Sequence, residues 1–117
     1  IFGRRIHLRG INDKNFNIRS FQERAAINAP IQGSAADIIR LAMIKINELI
    51  EEDKKLQTKM LLQIHDELIF ECLEKNEEYI KKTIKDAMVS VSKSEYHKFS
   101  TPLEVNVNSG YNWGEAH

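Results

Sequence analysis

Two stretches of the chain have the apolar spacing of long amphipathic helices. Between residues 31 and 52, apolar residues recur at steps of three and four and form one wide stripe: Ala35, Ile38, Ile39, Ala42, Ile46, Leu49 and Ile50. A second stripe follows Asn76, the predicted N-cap, and consists of Ile80, Ile84, Ala87, Met88 and Val91. Since such a stripe is the buried face of a surface helix, we predict two helices that cover a core.

A shorter helical pattern precedes them and runs from about Ser20 to Pro30. Proline lacks a backbone donor but fits the first turn of a helix, so we expect Pro30 to end this helix and to open the next one. Further upstream, the alternation over residues 5–9 predicts a short strand. The Asn-rich stretch after Gly10 predicts a loop.

Strand signals come later in the chain. Two apolar runs, 60–64 and 68–72, are separated only by His65-Asp66-Glu67, which predicts a β-hairpin with a polar tip. Strict alternation over residues 103–107 predicts a further strand with one buried face. The predicted fold class is therefore α+β: a small antiparallel β-sheet, formed by the hairpin and the C-terminal strand, covered by long amphipathic helices, with an N-terminal helical arm.

Composition agrees with one globular domain, because 42% of the 117 residues are apolar and 29% are charged. This excludes collagen-like and wholly disordered classes. Seventeen basic residues balance seventeen acidic ones, so the total charge favours neither a nucleic-acid partner nor a membrane surface. Residues 1–30 differ, with six basic residues against two acidic ones and a net charge of +4. The basic residues are Arg4, Arg5, Arg9, Lys14, Arg19 and Arg24.

The compartment is predicted from what the sequence lacks. No apolar stretch approaches the roughly 18 residues that span a bilayer. The single cysteine, Cys72, cannot form an internal disulfide, which is typical of a reducing compartment. We therefore expect a soluble, cytoplasmic protein with no membrane partner. Because the sequence opens on Ile1, in what resembles the middle of a segment, we also expect a piece of a longer protein.

The predicted hairpin tip carries two adjacent carboxylates, Asp66 and Glu67. Such a pair could bind a hard cation such as Mg²⁺, which prefers oxygen ligands. Polar residues are also what an ordinary turn contains. However, glycine and asparagine are absent from the tip, and the flanking runs lack clean alternation. This suggests a sheet covered on both faces, with charges at its edge that need a partner.

A second set of polar residues lies around Pro30. Steps of four place Arg24, Asn28 and Gln32 on one side of the predicted helix junction. A row of donors suits the DNA minor groove, which presents acceptors at every base pair. A solvated helix face is the alternative interpretation. Gly33 and Ser34 follow directly, and residues this small allow a close approach to a phosphate backbone or to the chain's own packing.

Several of these segments together resemble family A DNA polymerases of the bacterial DNA polymerase I type, at their C-terminal end. The similar stretches are 23–37, 63–70 and Gly110 with Trp113, and the resemblance covers the whole chain. Gly3-Arg4-Arg5 is similar to the arginine-rich turn that follows the nucleotide-binding fingers helix in this family. The resemblance implies that residues 1–30 are a fingers remnant leading into the palm, and that residues 31–117 are the C-terminal part of the palm.

The resemblance also implies roles for single residues. Asp66 corresponds to a metal-binding catalytic carboxylate, and Glu67 to a supporting carboxylate. The expected contacts to DNA are Arg4, Arg5, Arg24, Asn28, Gln32 and His65. The complete enzyme would use two Mg²⁺ ions, primer–template DNA and deoxynucleoside triphosphates, in DNA replication and repair. A second metal-bridging aspartate, from an earlier palm strand, is not in this sequence.

We therefore expect a fragment of a DNA-directed DNA polymerase, a nucleotidyltransferase, that is inactive by itself. The isolated chain is also expected to self-associate through the apolar surface that it exposes. A rival interpretation is a non-catalytic nucleic-acid-binding module. A metal-dependent nuclease or phosphatase is a third, but it would need more carboxylates around Asp66 than the chain supplies.

Overall fold

A computed structural model describes the backbone of residues 1–94 and 97–117 and confirms the α+β class. The helices are α1 (Phe16–Glu52), α2 (Glu77–Ser90) and α3 (Trp113–Ala116), with 3₁₀ turns at Lys54–Leu56 and Glu74–Asn76. The strands are β1 (Lys59–Ile64), β2 (Glu67–Glu71), β3 (Lys93–Ser94) and β4 (His97–Lys98). The chain forms two compact units, residues 1–38 and residues 39–117, which we call unit 1 and unit 2.

The prediction that Pro30 separates two helices is wrong, because α1 continues through it without a break. Proline removes one backbone hydrogen bond and costs about 3 kcal/mol inside a helix. Here the helical patterns on both sides of Pro30 share one phase. The turns before and after it keep their own hydrogen bonds, so the helix continues.

The predicted strand over residues 5–9 is also wrong, since residues 1–8 have no regular secondary structure. A strand needs a neighbouring strand to pair with its backbone groups. Instead, Ile6 and Leu8 line a cleft together with Ala26 and Ala29 of α1. The loop predicted after Gly10 is confirmed by turns and bends between residues 9 and 15.

Unit 2 contains an apolar core built by the predicted stripes. Its buried members are Ile46, Leu56, Ile80, Ile84 and Ala87. Half-buried apolar side chains pack against them: Leu49, Ile50, Met60, Leu68, Phe70, Cys72 and Met88. The core therefore joins the later turns of α1, the hairpin and α2. Burial raises the pKa of the Cys72 thiol above its usual value.

Asn76 occupies the predicted N-cap position of α2, but its side chain makes no capping hydrogen bond. Its amide Nδ2 instead donates to the carbonyl oxygens of Lys55 and Leu56, at 3.4 and 3.3 Å. The expected cap interaction is thus replaced by bonds that tie the start of α2 to the 3₁₀ turn at Lys54–Leu56.

The predicted hairpin is confirmed: β1 and β2 are antiparallel, and Ile64 pairs with Glu67. The register shifts between Met60 and Leu62, so that Leu61 is an extra residue in β1. This β-bulge explains why the run lacks clean alternation. Residues 1–94 and 97–117 do not provide the expected cover on both faces, because Leu61 and Leu62 are exposed.

The expected C-terminal strand is wrong as well, because no strand is assigned to residues 102–110. Burial does alternate, with Leu103, Val105 and Val107 half-buried and the residues between them exposed. Alternation reports a segment with one buried face, whereas a strand also requires a partner for its backbone hydrogen bonds. The short hairpin of β3 and β4 was not predicted by any pattern. None of the helices in residues 1–94 and 97–117 has both the length and the apolar content to span a membrane.

Candidate active site and nucleic-acid interface

The hairpin tip is a two-residue turn made by His65 and Asp66. His65 has φ of 52°, in the left-handed region where two-residue hairpin turns favour glycine or asparagine. A side chain costs roughly 1 kcal/mol in that conformation. The side-chain amide of Gln63 donates to the His65 carbonyl at 3.2 Å and supports the turn. The strained turn brings Asp66 to the exposed apex of the hairpin.

Glu67 is the first residue of β2 and has a neighbour that the sequence did not reveal. Nδ1 of His117 lies 3.4 Å from Oε1 of Glu67. The His117 ring also meets Trp113 edge-on, with ring centroids 6.2 Å apart. Asn112 begins α3 by accepting a hydrogen bond from the Glu115 amide at 3.1 Å. The short helix α3 therefore places His117 beside the carboxylate of Glu67.

Asp66 and Glu67 offer hard oxygen ligands of the kind that Mg²⁺ takes. Both side chains are exposed and follow one another at the turn. Among residues 1–94 and 97–117, no three His, Cys, Asp or Glu side chains gather closely enough to hold a metal. The chain can thus supply one or two ligands to a cation, and water, substrate phosphates or other protein groups must complete its coordination.

The predicted row of donors lies on α1 within unit 1. Because the helix is continuous, Arg24, Asn28 and Gln32 share one face, and all three are exposed. Nη1 of Arg24 donates to the hydroxyl of Ser20 at 3.0 Å, which leaves the rest of its guanidinium accessible. Exposed Ile27 and Ile31 lie on the neighbouring rows of the same surface, which we call the donor face.

The small residues after Gln32 differ in their surroundings. Ser34 is buried, and the chain's own packing accounts for its size. A Cβ added to Gly33 would meet no atom within 4 Å, so nothing in the described chain requires glycine there. The helix surface next to Gln32 is thus open to a close approach.

The two adjacent arginines near the start of the chain have different environments. Arg4 Nε donates to both carboxylate oxygens of Asp37, at 3.1 and 3.0 Å, and Nη2 donates to Oδ1 at 2.6 Å. These hydrogen bonds and the charge of Asp37 raise the pKa of the Arg4 guanidinium. Arg5 is exposed. Both arginines and Asp37 belong to unit 1, whereas the hairpin tip belongs to unit 2.

Comparison with known proteins agrees with the motifs. The model of the family described as DNA polymerase family A matches residues 1–115. The chain is 48% identical over 118 residues to DNA polymerase I of Rhizobium leguminosarum, covering all of this chain and 12% of that protein. It is 46% identical over 116 residues to DNA polymerase I of Streptococcus pneumoniae TIGR4, covering 99% of this chain and 12% of that protein.

A solved structure has the same fold. The POL domain of Pol1 from M. smegmatis, in complex with DNA primer-template and dNTP, superimposes with a TM-score of 0.88 at 40% sequence identity. The match covers 99% of this chain and 19% of that chain. This chain spans about an eighth of the length of the curated relatives, 12% in each case. The match over nearly the whole chain confirms the resemblance drawn from the motifs: the chain belongs to DNA polymerase family A.

Proposed function

We propose that this chain is part of a DNA-directed DNA polymerase that adds deoxynucleotides to a primer 3′ end. The single observation that carries the proposal is the exposed Asp66 at a two-residue hairpin turn, in a chain that matches the polymerase family over residues 1–115. The M. smegmatis Pol1 domain, whose fold this chain shares, is in complex with DNA primer-template and dNTP. In this proposal residues 1–30 lead from the fingers into the palm, and residues 31–117 form the C-terminal part of the palm.

Asp66 and Glu67 would form the metal-binding part of the active site. Family A polymerases use divalent metals, and the hard donors at the turn fit Mg²⁺. When bound, two such ions lower the pKa of the primer 3′ hydroxyl and neutralise charge on the leaving pyrophosphate. Asp66 supplies a ligand from the apex of the turn. Glu67, whose Oε1 lies 3.4 Å from Nδ1 of His117, adds negative charge next to it.

The donor face would hold the duplex. Arg24, Asn28 and Gln32 donate to minor-groove acceptors that all correct base pairs share, so they sense pair geometry without reading sequence. His65, next to Asp66 at the turn, is proposed to contact the primer end, and Arg5 to contact the DNA backbone. We also propose a cytoplasmic location.

The test of the catalytic assignment is Asp66→Asn in the full-length polymerase. The substitution keeps the shape of the side chain but removes one negative charge from the metal site, so single-turnover incorporation should fall by orders of magnitude. Affinity for primer–template should stay equal or rise, because a carboxylate that repels phosphate is gone. Glu67→Gln should lose less, because in this proposal Glu67 would be a supporting carboxylate and not a shared metal ligand.

The matched control is Asp86→Asn, which removes the same charge from an exposed position on α2. Incorporation by this variant should be unchanged. Near-normal incorporation by Asp66→Asn, or a loss explained by failed DNA binding or failed folding, would reject the catalytic role. Tight DNA binding without incorporation by the unaltered protein would favour the non-catalytic module.

The test of the donor face is Gln32→Ala or Arg24→Ala in the same polymerase. Each contact, if desolvated, is worth about 1–3 kcal/mol, and extension from primer termini should weaken equally for all sequences. Asn47→Ala, an exposed amide of α1 in unit 2, is the control. A loss restricted to certain template sequences would contradict geometry sensing.

The 117-residue chain itself is expected not to extend primers. One turn with two carboxylates cannot position two cations, since no third ligand group gathers in the described residues 1–94 and 97–117. Primer extension by this chain with Mg²⁺ and four nucleotides, abolished by Asp66→Ala, would disprove this expectation.

A further inference from the structure

We propose that Arg4 and Arg5, although adjacent and identical, have separate tasks: Arg4 is a positioning residue locked to Asp37, and Arg5 alone contacts DNA phosphate. This division rests on the proposed DNA-binding function. It assigns to Asp37 a role that no motif suggested, since Asp37 lies 33 residues from Arg4 in the sequence.

The geometry of Arg4 supports its positioning role. Its guanidinium group faces Asp37 with the edge that carries Nε and Nη2. Both nitrogens donate hydrogen bonds to the Asp37 carboxylate. This edge is one of the two edges of a guanidinium that can bind a phosphate with two parallel hydrogen bonds. While the pair is intact, Arg4 cannot offer that edge to DNA.

Burial supports the same conclusion. The Asp37 side chain is only 12% exposed, whereas that of Arg4 is 53% exposed. A carboxylate that is largely withdrawn from water needs a cation close by. Taking Arg4 away to bind phosphate would remove that cation from Asp37, so the exchange with DNA is unfavourable.

The backbone just before Arg4 has an unusual conformation. Gly3 has φ of 78°, which side-chain-bearing residues rarely adopt. The chain turns there, just before Arg4, and the Arg4 guanidinium contacts Asp37 in α1. Arg5 is exposed and forms no ion pair with the described residues. None of the described residues neutralises its positive charge through an ion pair, and Arg4 holds the neighbouring backbone in place for it.

The net charge at Arg4 differs from that at Arg5, and this predicts a different dependence of DNA affinity on salt concentration for their variants. Arg4 and Asp37 together are neutral, so they release few counterions when DNA binds. An unpaired arginine that neutralises one phosphate contributes about 0.9 to the slope of log affinity against log salt concentration. Arg5 should contribute to this slope, and Arg4 should not.

The experiment compares Arg4→Ala with Arg5→Ala in the full-length polymerase, measuring thermal unfolding and primer–template affinity at several salt concentrations. Arg5→Ala should leave the unfolding temperature unchanged and lower the salt slope by about one. A roughly fourfold rise in salt would then weaken this variant about 3.5-fold less than the unaltered protein. Arg4→Ala should lower the unfolding temperature and keep the slope.

Two conservative variants sharpen the comparison. Lysine keeps the charge but cannot form the two-pronged contact. Arg4→Lys should therefore lose part of the stability that Arg4→Ala loses, because it keeps a cation near Asp37 but not the bidentate contact, while Arg5→Lys should keep most of the salt slope. Asp37→Asn should lower the unfolding temperature as well. Combined with Arg4→Ala, it should cost less than the sum of the two single losses, because both changes break the ion pair that the two residues share.

The outcomes separate this inference from the proposed function. A salt slope that falls for Arg4→Ala as it does for Arg5→Ala, with no change in unfolding temperature, overturns the division of tasks. Additive losses of stability in the Arg4→Ala/Asp37→Asn pair also overturn it. If the unaltered polymerase does not bind DNA, the proposed function and the role of Arg5 fail, while the stability measurements still decide the role of Arg4.

Discussion

Units 1 and 2 bury different kinds of side chain. In unit 2 the core consists of apolar residues from α1, α2 and the turn before β1, with Ile46 only 1% exposed. Unit 2 also buries two polar residues, Thr58 and Ser92, but in unit 1 the buried residues are polar only, Ser34 and Asp37. Several large apolar residues of unit 1 are exposed, with Ile27 71% and Ile31 73% exposed.

The difference shows that the two units gain stability in different ways. Unit 2 removes apolar area from water, which is the main favourable term in folding. Unit 1 relies on helix hydrogen bonds and on the ion pair between Arg4 and Asp37. It keeps an exposed apolar surface beside polar donors, and surfaces of this kind mark contacts with other molecules. In the proposed polymerase, this surface of unit 1 would contact DNA or other parts of the protein.

The largest effect is expected when one isoleucine of α1 is shortened in each unit, because this helix contributes residues to both units. Ile46→Ala removes buried methyl groups from the core and should lower the free energy of unfolding by about 2–5 kcal/mol. Ile31→Ala shortens an exposed side chain and should change it by no more than about 0.5 kcal/mol. Denaturant unfolding of the 117-residue chain measures both. Equal losses would show that unit 1 has a core of its own.

Self-association of the chain is expected to change by a smaller free energy than the stability change for Ile46→Ala. Burying one exposed isoleucine is worth about 1.5–3 kcal/mol, so Ile31→Lys should weaken association at least about tenfold. Analytical ultracentrifugation from micromolar to millimolar concentration measures the change. Glu48→Lys, at an exposed polar position of α1 in unit 2, is the control. A clean monomer for the unaltered chain would contradict the prediction.

The smallest effect concerns the polar contacts of unit 2. Glu77 accepts from Lys81 at 2.7 Å and from the Ser109 hydroxyl, and these contacts lower the pKa of its carboxyl group. A carboxyl group with a lowered pKa in the folded state contributes stability above its unfolded pKa of about 4.5. This contribution is lost as the pH falls through the lower folded value.

Acidification below about pH 4.5 should therefore loosen the segment around Ser109 from α2. Thermal unfolding between about pH 6 and about pH 3 measures this, and Glu77→Gln should remove that part of the pH dependence. Glu78→Gln, an exposed neighbour, is the control. The same acid response in Glu77→Gln would assign it to other carboxylates.

The comparison of the units also explains which predictions succeeded. The stripe of α2 and the two runs of the hairpin identified the core of unit 2, because apolar spacing reports which face an element buries. The motif 63–70 likewise located Asp66 and Glu67 at a turn. The family was identified from several motifs in a fixed order along the chain. Such motifs can be recognised in the sequence without knowledge of which residues are in contact.

Other features depended on partners distant in the chain. Alternation over residues 5–9 and 103–107 has the period of a strand, but no neighbouring strand pairs with either segment in the described structure. Proline at position 30 is a local signal for a helix boundary, yet the helical turns on both sides continue in phase through it. Local rules predict a preference, and the surrounding packing can override it.

The sequence alone was enough for the hairpin, for the apolar stripes that build the core of unit 2 and for the chemical type of the residues at the turn, since these follow from spacing along a few turns of chain. Tertiary contacts were needed to pair Arg4 with Asp37 and His117 with Glu67, across 33 and 50 residues. No periodicity encodes such pairs, because their side chains meet only after the backbone has folded. For this reason the donor face was predicted as a row of residues, while the difference between Arg4 and Arg5 became visible only in the folded chain.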